Sequence, residues 1–142
     1  MSTNALIAYQ SRANKFICNT VNFDGQPNKL GVALLVDYND AEGAEMLCKE
    51  NQIQCIDTSG DVKLYPSKLN RSLRIVYTEN NTIYDIDNIA EELLGPFNAR
   101  YAYIYMQRIG WYVYDIKHRT AVLLKRYIGS AINKYMYTEE EI

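Results

Sequence analysis

Hydrophobic positions recur along this chain with two different periods, and the switches between them mark the elements. "ALIAYQ" and "KFICNTVNF" are short apolar, β-branched and aromatic runs joined by polar "SRAN", which predicts an opening β-hairpin. Asp24-Gly25 then turns the chain, and Pro27 stands where a first helical turn tolerates a missing N–H. From Asn28 onward, Leu30, Ala33, Leu34 and Tyr38 fall on one helical stripe. A second helix from Ala41 to Asn51 turns Ala44, Leu47 and Cys48 inward. "DTSGDVKLYPSKLNRS" is broken by Gly60 and Pro66 and predicts a loop with at most a short strand, after which "SLRIVYT" alternates as a strand. Asp85 is placed to cap a helix whose core stripe is Ile86, Ile89, Ala90, Leu93 and Leu94 and which Gly95-Pro96 ends.

In "ARYAYIYMQRIGWYVYDIKH" two alternating runs flank a turn at Arg108-Ile109-Gly110, predicting a second hairpin. With a three-residue loop, Gln107 faces Trp111 and Tyr105 faces Val113. One face then carries Tyr101, Tyr103, Tyr105, Gln107, Trp111, Val113 and Asp115. The other carries Ala102, Ile104, Met106, Tyr112, Tyr114 and Ile116, the side expected to be buried. "TAVLLKRYIGSAINKYM" sets Ala121, Leu124, Ile128, Ala131, Ile132 and Tyr135 on one stripe, predicting a C-terminal helix weakened by Gly129. The sum is a single α+β domain over residues 1–142. It has an antiparallel sheet with N-terminal and C-terminal hairpins, three to four helices packed on one face, and a short acidic tail at 139–142.

Composition narrows the class. At 142 residues, 48% hydrophobic and 23% charged, the chain is long enough for a core of its own and too apolar for wholesale disorder. No apolar run approaches the ~20 residues of a membrane span, and the start "MSTNALIAYQSRANK" lacks the pattern of a signal peptide. Three cysteines without a Cys-x-x-Cys read as reduced residues of a cytoplasm, and a single histidine argues against a His/Cys zinc site. The net charge of −2 hides an asymmetry. Residues 1–60 carry four basic and seven acidic groups, whereas 101–138 carry six basic groups against Asp115 alone, with eight of the thirteen tyrosines and the one tryptophan.

Catalytic patterns are thin. "DTSG" at Asp57–Gly60 is close to an aspartic-protease turn, but that chemistry needs a second carboxylate sharing a proton, and no second copy exists. His118 lies between Lys117 and Arg119 with nothing in sequence to orient it. Asp85 and Asp87, like Glu91 and Glu92, suit a helix start and its outer face, and no phosphate-binding glycine motif occurs. Neither catalysis nor a cofactor is expected. The Tyr/Trp face beside Arg108, Arg119, Lys125 and Arg126 leaves three readings open: tyrosines that simply suit half-buried strands, a platform that stacks a nucleotide, or a protein interface.

The segment "ALIAY … FICNTVNFDGQPNKLGVALLVDY" resembles the start of a group of small bacteriophage-encoded proteins, in which a short strand leads to a motif of the type I-Y-C-H-W-D-G-Y-P-x-x-x-G and then a helix. Asn22-Phe23-Asp24-Gly25-Gln26-Pro27 and Gly31 occupy that motif here, with Asn22-Phe23 in place of His-Trp and Gln26 in place of Tyr. "YAYIYMQRIGWYVYD" is similar to the Tyr-rich strand, turn and Trp-Tyr strand of the same group. The resemblance supplies no catalytic residues. It implies a phage source, and with it a non-enzymatic inhibitor of bacterial immunity in the host cytoplasm that sequesters a cyclic nucleotide or cyclic-ADP-ribose type signal. A protein-binding inhibitor of a defence effector such as a CRISPR nuclease is the alternative, and a phage structural or assembly protein the next. On the first reading Tyr103, Tyr105 and Trp111 stack the base, Arg108 and Arg126 hold phosphate, and Phe23 and Asp24 close the pocket. An exposed aromatic face further implies a homo-oligomer, most simply a dimer.

Overall fold

A computed structural model describes residues 3–66, 74–78, 86–95 and 97–129. The expectations for Asp85, Pro96, Ala131, Ile132, Tyr135 and the acidic tail lie outside the described residues. The opening hairpin forms as its pattern predicts, from β1 (Ala5–Arg12) and β2 (Lys15–Val21), with Ala8 opposite Cys18. A wide helical turn at Pro27–Gly31 leads into α1 (Val32–Asp37), and α2 (Ala41–Lys49) follows, capped by the Asp40 carboxylate accepting from the Gly43 N–H at 2.6 Å. β3 (Ile53–Ile56), β4 (Val62–Leu64) and β5 (Arg74–Tyr77) precede α3 (Ile86–Leu94). The second hairpin is β6 (Tyr101–Met106) and β7 (Gly110–Asp115). β8 (Thr120–Leu123) then runs directly into a helical segment at residues 124–129, α4.

The eight strands among the described residues join one sheet in the order β4-β3-β2-β1-β6-β7-β8, with β5 also paired to β2. The sheet is mixed, which corrects the antiparallel expectation. β1 runs parallel to β6 from Ala5 opposite Tyr101 to Tyr9 opposite Tyr105, and β2 runs parallel to β3 at Val21 opposite Ile53. The local hairpins impose antiparallel neighbours, but a crossover that carries helices returns the chain in the same direction, and only the whole fold decides where it lands.

Helices cover both faces of this sheet rather than one. On one side the odd-numbered residues of β1, Ile7 and Tyr9 among them, pack with Leu30, Leu34, Ala44 and Leu47 of the first helices and with Leu124 and Ile128 of α4. On the other, Leu6, Ala8, Phe16 and Ile104 pack with Ile89, Ala90 and Leu93 of α3. α3 therefore buries the stripe its sequence shows, but on the second face. A sheet buried on both sides takes apolar residues at successive positions, as β6 does with all six residues buried.

Two further differences concern strands. β3 forms in "IQCI", where the sequence pattern marks no strand, and Thr120–Leu123 is a strand where a helix is expected from Ala121. The Asp115 turn brings Thr120 back opposite Asp115, and the β7 edge offers backbone partners to β-branched Thr120 and Val122 before the helix can begin.

Candidate functional site

The second hairpin holds Tyr105 opposite Trp111 and Tyr103 opposite Val113, two residues from the expected register. A shift of two preserves the faces, so Tyr101, Tyr103, Tyr105, Trp111 and Val113 do share one side. That side is closed: all five belong to the buried cluster that includes α1, α2 and α4 residues. Tyr105 stacks on Tyr9 with centroids 6.2 Å apart and meets Trp111 edge-on at 5.4 Å. The polar tips are satisfied internally, with the Tyr103 hydroxyl donating to the Gly25 carbonyl at 2.6 Å and the Trp111 indole N–H to the Tyr38 carbonyl at 2.9 Å. Burial pushes the Tyr103 phenol well above its ordinary pKa. Tyr103, Tyr105 and Trp111 are thus brought together as buried support on which helices rest.

The remaining expected residues disperse. Arg108 sits exposed at the hairpin tip with φ +68°. Phe23 is half exposed and Asp24 pairs with Lys29 at 3.3 Å, both on the turn after β2. That turn meets the aromatics through Gly25, whose carbonyl accepts from Tyr103. The Gly25 N–H donates to the Thr3 carbonyl at 2.8 Å, and any Cβ on this residue would stand 2.9 Å from the Ala5 Cβ and the Thr3 oxygen. The glycine of the Asp24-Gly25 pair is therefore required by close approach. The expected dimer loses its premise as well, since the aromatic face is already covered by the chain's own helices.

Arg126, of the expected set, borders a cleft. This cleft, about 550 Å³, is lined by Tyr112, Ala121, Val122, Leu123, Arg126 and Tyr127. Its walls follow from pairing: Tyr112 lies opposite Leu123 and Tyr114 opposite Ala121, so Tyr112, Ala121 and Leu123 project to the same side of the sheet. The chain then turns helical without a loop. Leu124 and Ile128 are buried, and Gly31 of the N-terminal turn admits their methyl groups at 3.0 Å from where its Cβ would be. Anchored on that side, α4 leaves Lys125, Arg126 and Tyr127 outward, over the end of β8. Burial raises the Tyr112 phenol pKa, and the positive charge of Arg126 draws it partly back. Arg126 has no ion-pair partner among the described residues, and no acidic side chain lines the cleft. Sequence reasoning missed Tyr112 and Tyr127 as site residues. The even-numbered face of β7 reads as plain core in sequence, and the cleft needs a strand at Thr120–Leu123.

Other groups with chemical potential are engaged structurally. Contrary to expectation His118 is oriented: its Nδ1 lies 2.9 Å from the Asp115 carboxylate, which also accepts from Arg100 Nε at 3.1 Å and the Lys117 N–H at 2.9 Å. Burial raises the Asp115 pKa, but the bonds from Arg100, His118 and Lys117 outweigh it and hold the carboxyl below its ordinary value. No hydroxyl or thiol is hydrogen-bonded to His118 among the described residues, so this pair closes the β7–β8 turn without a nucleophile to activate. Asp57 accepts from the Ser59 and Asp61 amides at 2.9 and 3.1 Å and from the Ser59 hydroxyl, which makes "DTSG" a self-satisfied turn. Burial raises the Cys18 thiol to about 12. No group of three or more His, Cys, Asp or Glu side chains among the described residues is arranged to hold a metal. No helix among them is long and apolar enough to cross a membrane.

Compared with protein-family models, with curated proteins and with solved structures, the chain matches none.

Proposed function

We propose that the protein is a non-catalytic binder of a small anionic ligand bearing an aromatic ring, of the cyclic nucleotide or cyclic-ADP-ribose class, held in the cleft between β8 and α4. Tyr112 and Tyr127 flank the ring and Arg126 meets a phosphate. The observation that carries this reading is an arginine without an ion-pair partner among the described residues, lining a cleft of about 550 Å³ together with two tyrosines. That volume falls within the roughly 300–1,000 Å³ of small-molecule sites. Its apolar floor with one cationic group matches the usual division between affinity and orientation. Sequestration of such a signal fits the resemblance to phage proteins and gives the chain an anti-defence role in the host cytoplasm.

A protein partner is the second reading, favoured by β8 lying at the end of the sheet with Val122 and Tyr127 both 37% exposed. It is weakened because the Asp87 carboxylate already accepts from the Ala121 N–H at 2.6 Å, occupying one backbone donor of β8.

A thermal-shift panel of cyclic dinucleotides, cyclic trinucleotides and cyclic-ADP-ribose isomers tests both. A ligand at about 100 times its Kd stabilises the fold by roughly 2.7 kcal/mol, several degrees for a chain of this size. Arg126→Ala is expected to weaken binding about ten- to a hundredfold by calorimetry, the loss of one charge-assisted bond of ~1.5–3 kcal/mol. Arg108→Ala should leave it unchanged. Binding lost in Arg108→Ala but kept in Arg126→Ala would move the site to the hairpin tip, and a flat panel with capture of a host protein would favour the second reading.

A further inference from the structure

A second cleft lies at the end of the sheet where β1 and β6 begin and β2 finishes. It measures about 220 Å³, and its polar lining is Asn4, Thr20, Asn22, Gln52 and Asn98, with Phe97 as its aromatic member. It shares no lining residue with the cleft around Arg126. None of its lining residues carries a charge, so neither a phosphate nor an ammonium group would find a counter-charge there. At ~30 Å³ per water the space corresponds to about seven waters, the scale of one planar ring system rather than of a whole nucleotide.

The lining is organised for hydrogen bonding to something else. Asn22 Nδ2 contacts the Tyr65 hydroxyl at 2.8 Å, and its Oδ1 accepts from Gln52 Nε2 at 3.4 Å, so the amide is held on two sides with a lone pair to spare. The backbone beneath is fixed too, with the Asn22 N–H donating to the Ile53 carbonyl at 3.2 Å and the Tyr65 N–H to the Gln52 carbonyl at 3.0 Å. Asn4 and Asn98 are exposed and make no side-chain hydrogen bond with described residues. Phe97 is positioned from behind: the Arg74 guanidinium lies over its ring at 4.0 Å from the centroid, with Nη1 buried and unpartnered among the described residues.

We infer that this cleft is a subsite for a neutral planar heterocycle of the nucleobase class, its edge read by the Asn22, Gln52 and Asn98 amides and its ring packed against Phe97. Paired side-chain amides supply the adjacent donor and acceptor that a base edge presents, and an aromatic ring accepts any base by stacking. The inference gives Asn22 of the Asn22-Phe23-Asp24-Gly25 motif a chemical role, and it does not depend on the Arg126 cleft being occupied.

The test is a titration of ¹⁵N-labelled protein with free adenine, cytosine and uracil, then with the matching nucleosides and a short single-stranded oligonucleotide. The expected result is saturable movement of the Asn22 and Asn98 side-chain amide signals by at least one free base and its nucleoside. Asn98→Ala should weaken that binding about tenfold while leaving the melting temperature unchanged, because Asn98 makes no side-chain hydrogen bond with described residues. Thr20→Val serves as an independent probe that keeps the shape of the wall, and Arg126→Ala should have no effect. No saturable shift from any free base at millimolar concentration in folded protein would overturn the inference. So would binding that persists in both Asn98→Ala and Thr20→Val, or binding of the oligonucleotide with the free bases silent.

Discussion

Tyr103 carries more of the fold than its position on a strand suggests. Its hydroxyl crosses from the centre of the sheet to the Gly25 carbonyl, joining the second hairpin to the turn after β2 inside a region closed to water. Tyr103→Phe leaves that carbonyl without its partner and should cost about 1–3 kcal/mol in urea unfolding, with ligand affinity at Arg126 intact. Asp115 makes a prediction in pH. Its folded pKa lies below the ordinary carboxylate value of 3.8, so its contribution to stability is present above that value. The contribution disappears as pH falls through the lower, folded value. Asp115→Asn should therefore flatten the acid limb of a stability-against-pH curve. Some slope should persist, because hydrogen bonds from Ser59 and Lys49 also hold Asp57 and Glu45 below their ordinary values. Asp57 is exposed and the Glu45 side chain is 41% exposed, so solvent screens both, and Asp115, 5% exposed, is the one whose removal should be felt most.

At the scale of elements, the cleft around Arg126 depends on a contact outside it. α4 is short, and its seat is Gly31, where Leu124 and Ile128 reach within 3.0 Å of the absent Cβ. A side chain at that position forces both methyl groups aside. Gly31→Val should lower stability by roughly 1–3 kcal/mol, as overpacking does, and should also weaken any ligand held by Arg126 and Tyr127, although Gly31 lies outside the cleft. If Gly31→Val binds as the unaltered protein does, α4 does not position the site. Asn19 joins elements in a related way, since its buried amide donates to the Leu47, Glu50 and Asn51 carbonyls at 3.0–3.2 Å and thereby closes the end of α2 against β2. At the opposite end of the sheet Gln107 donates to the Tyr9 hydroxyl at 2.6 Å and the Gln10 carbonyl at 2.8 Å, which ties the tips of the two hairpins together.

Among the described residues the molecule is a sheet with a separate cluster of buried hydrophobic residues on each side. Leu34 on the first face and Leu93 on the second are both fully buried. Leu34→Ala and Leu93→Ala should each cost about 2–5 kcal/mol, and the double variant should show their sum within about 0.5 kcal/mol, because packed layers stand about 10 Å from a sheet and the two sites share no neighbour. One cooperative transition is expected throughout, since the same strands carry both layers. A large departure from additivity in chemical denaturation would mean that the layers communicate through the backbone of β1 and β6.

Much of this was set by local pattern. The two hairpins, the stripes Ala44-Leu47-Cys48 and Ile86-Ile89-Ala90-Leu93-Leu94, the turn at Asp24-Gly25 and the sharing of one face by Tyr101, Tyr103, Tyr105, Trp111 and Val113 all follow from spacing, since side-chain periodicity is a property of neighbouring residues. The tertiary structure decided what spacing does not encode. Which layer covers which face is settled by the paths of the crossovers, and these made β1 and β6 parallel, placed α3 opposite the other helices and enclosed the tyrosine face. The same long-range pairing drew Thr120–Leu123 onto β7 and out of the helix its apolar stripe favoured. With that strand in place, the tyrosines that line the cleft beside Arg126 are Tyr112 and Tyr127, while Tyr103 and Tyr105 are buried, because exposure depends on what the rest of the chain packs over a face and not on the residues of the face alone.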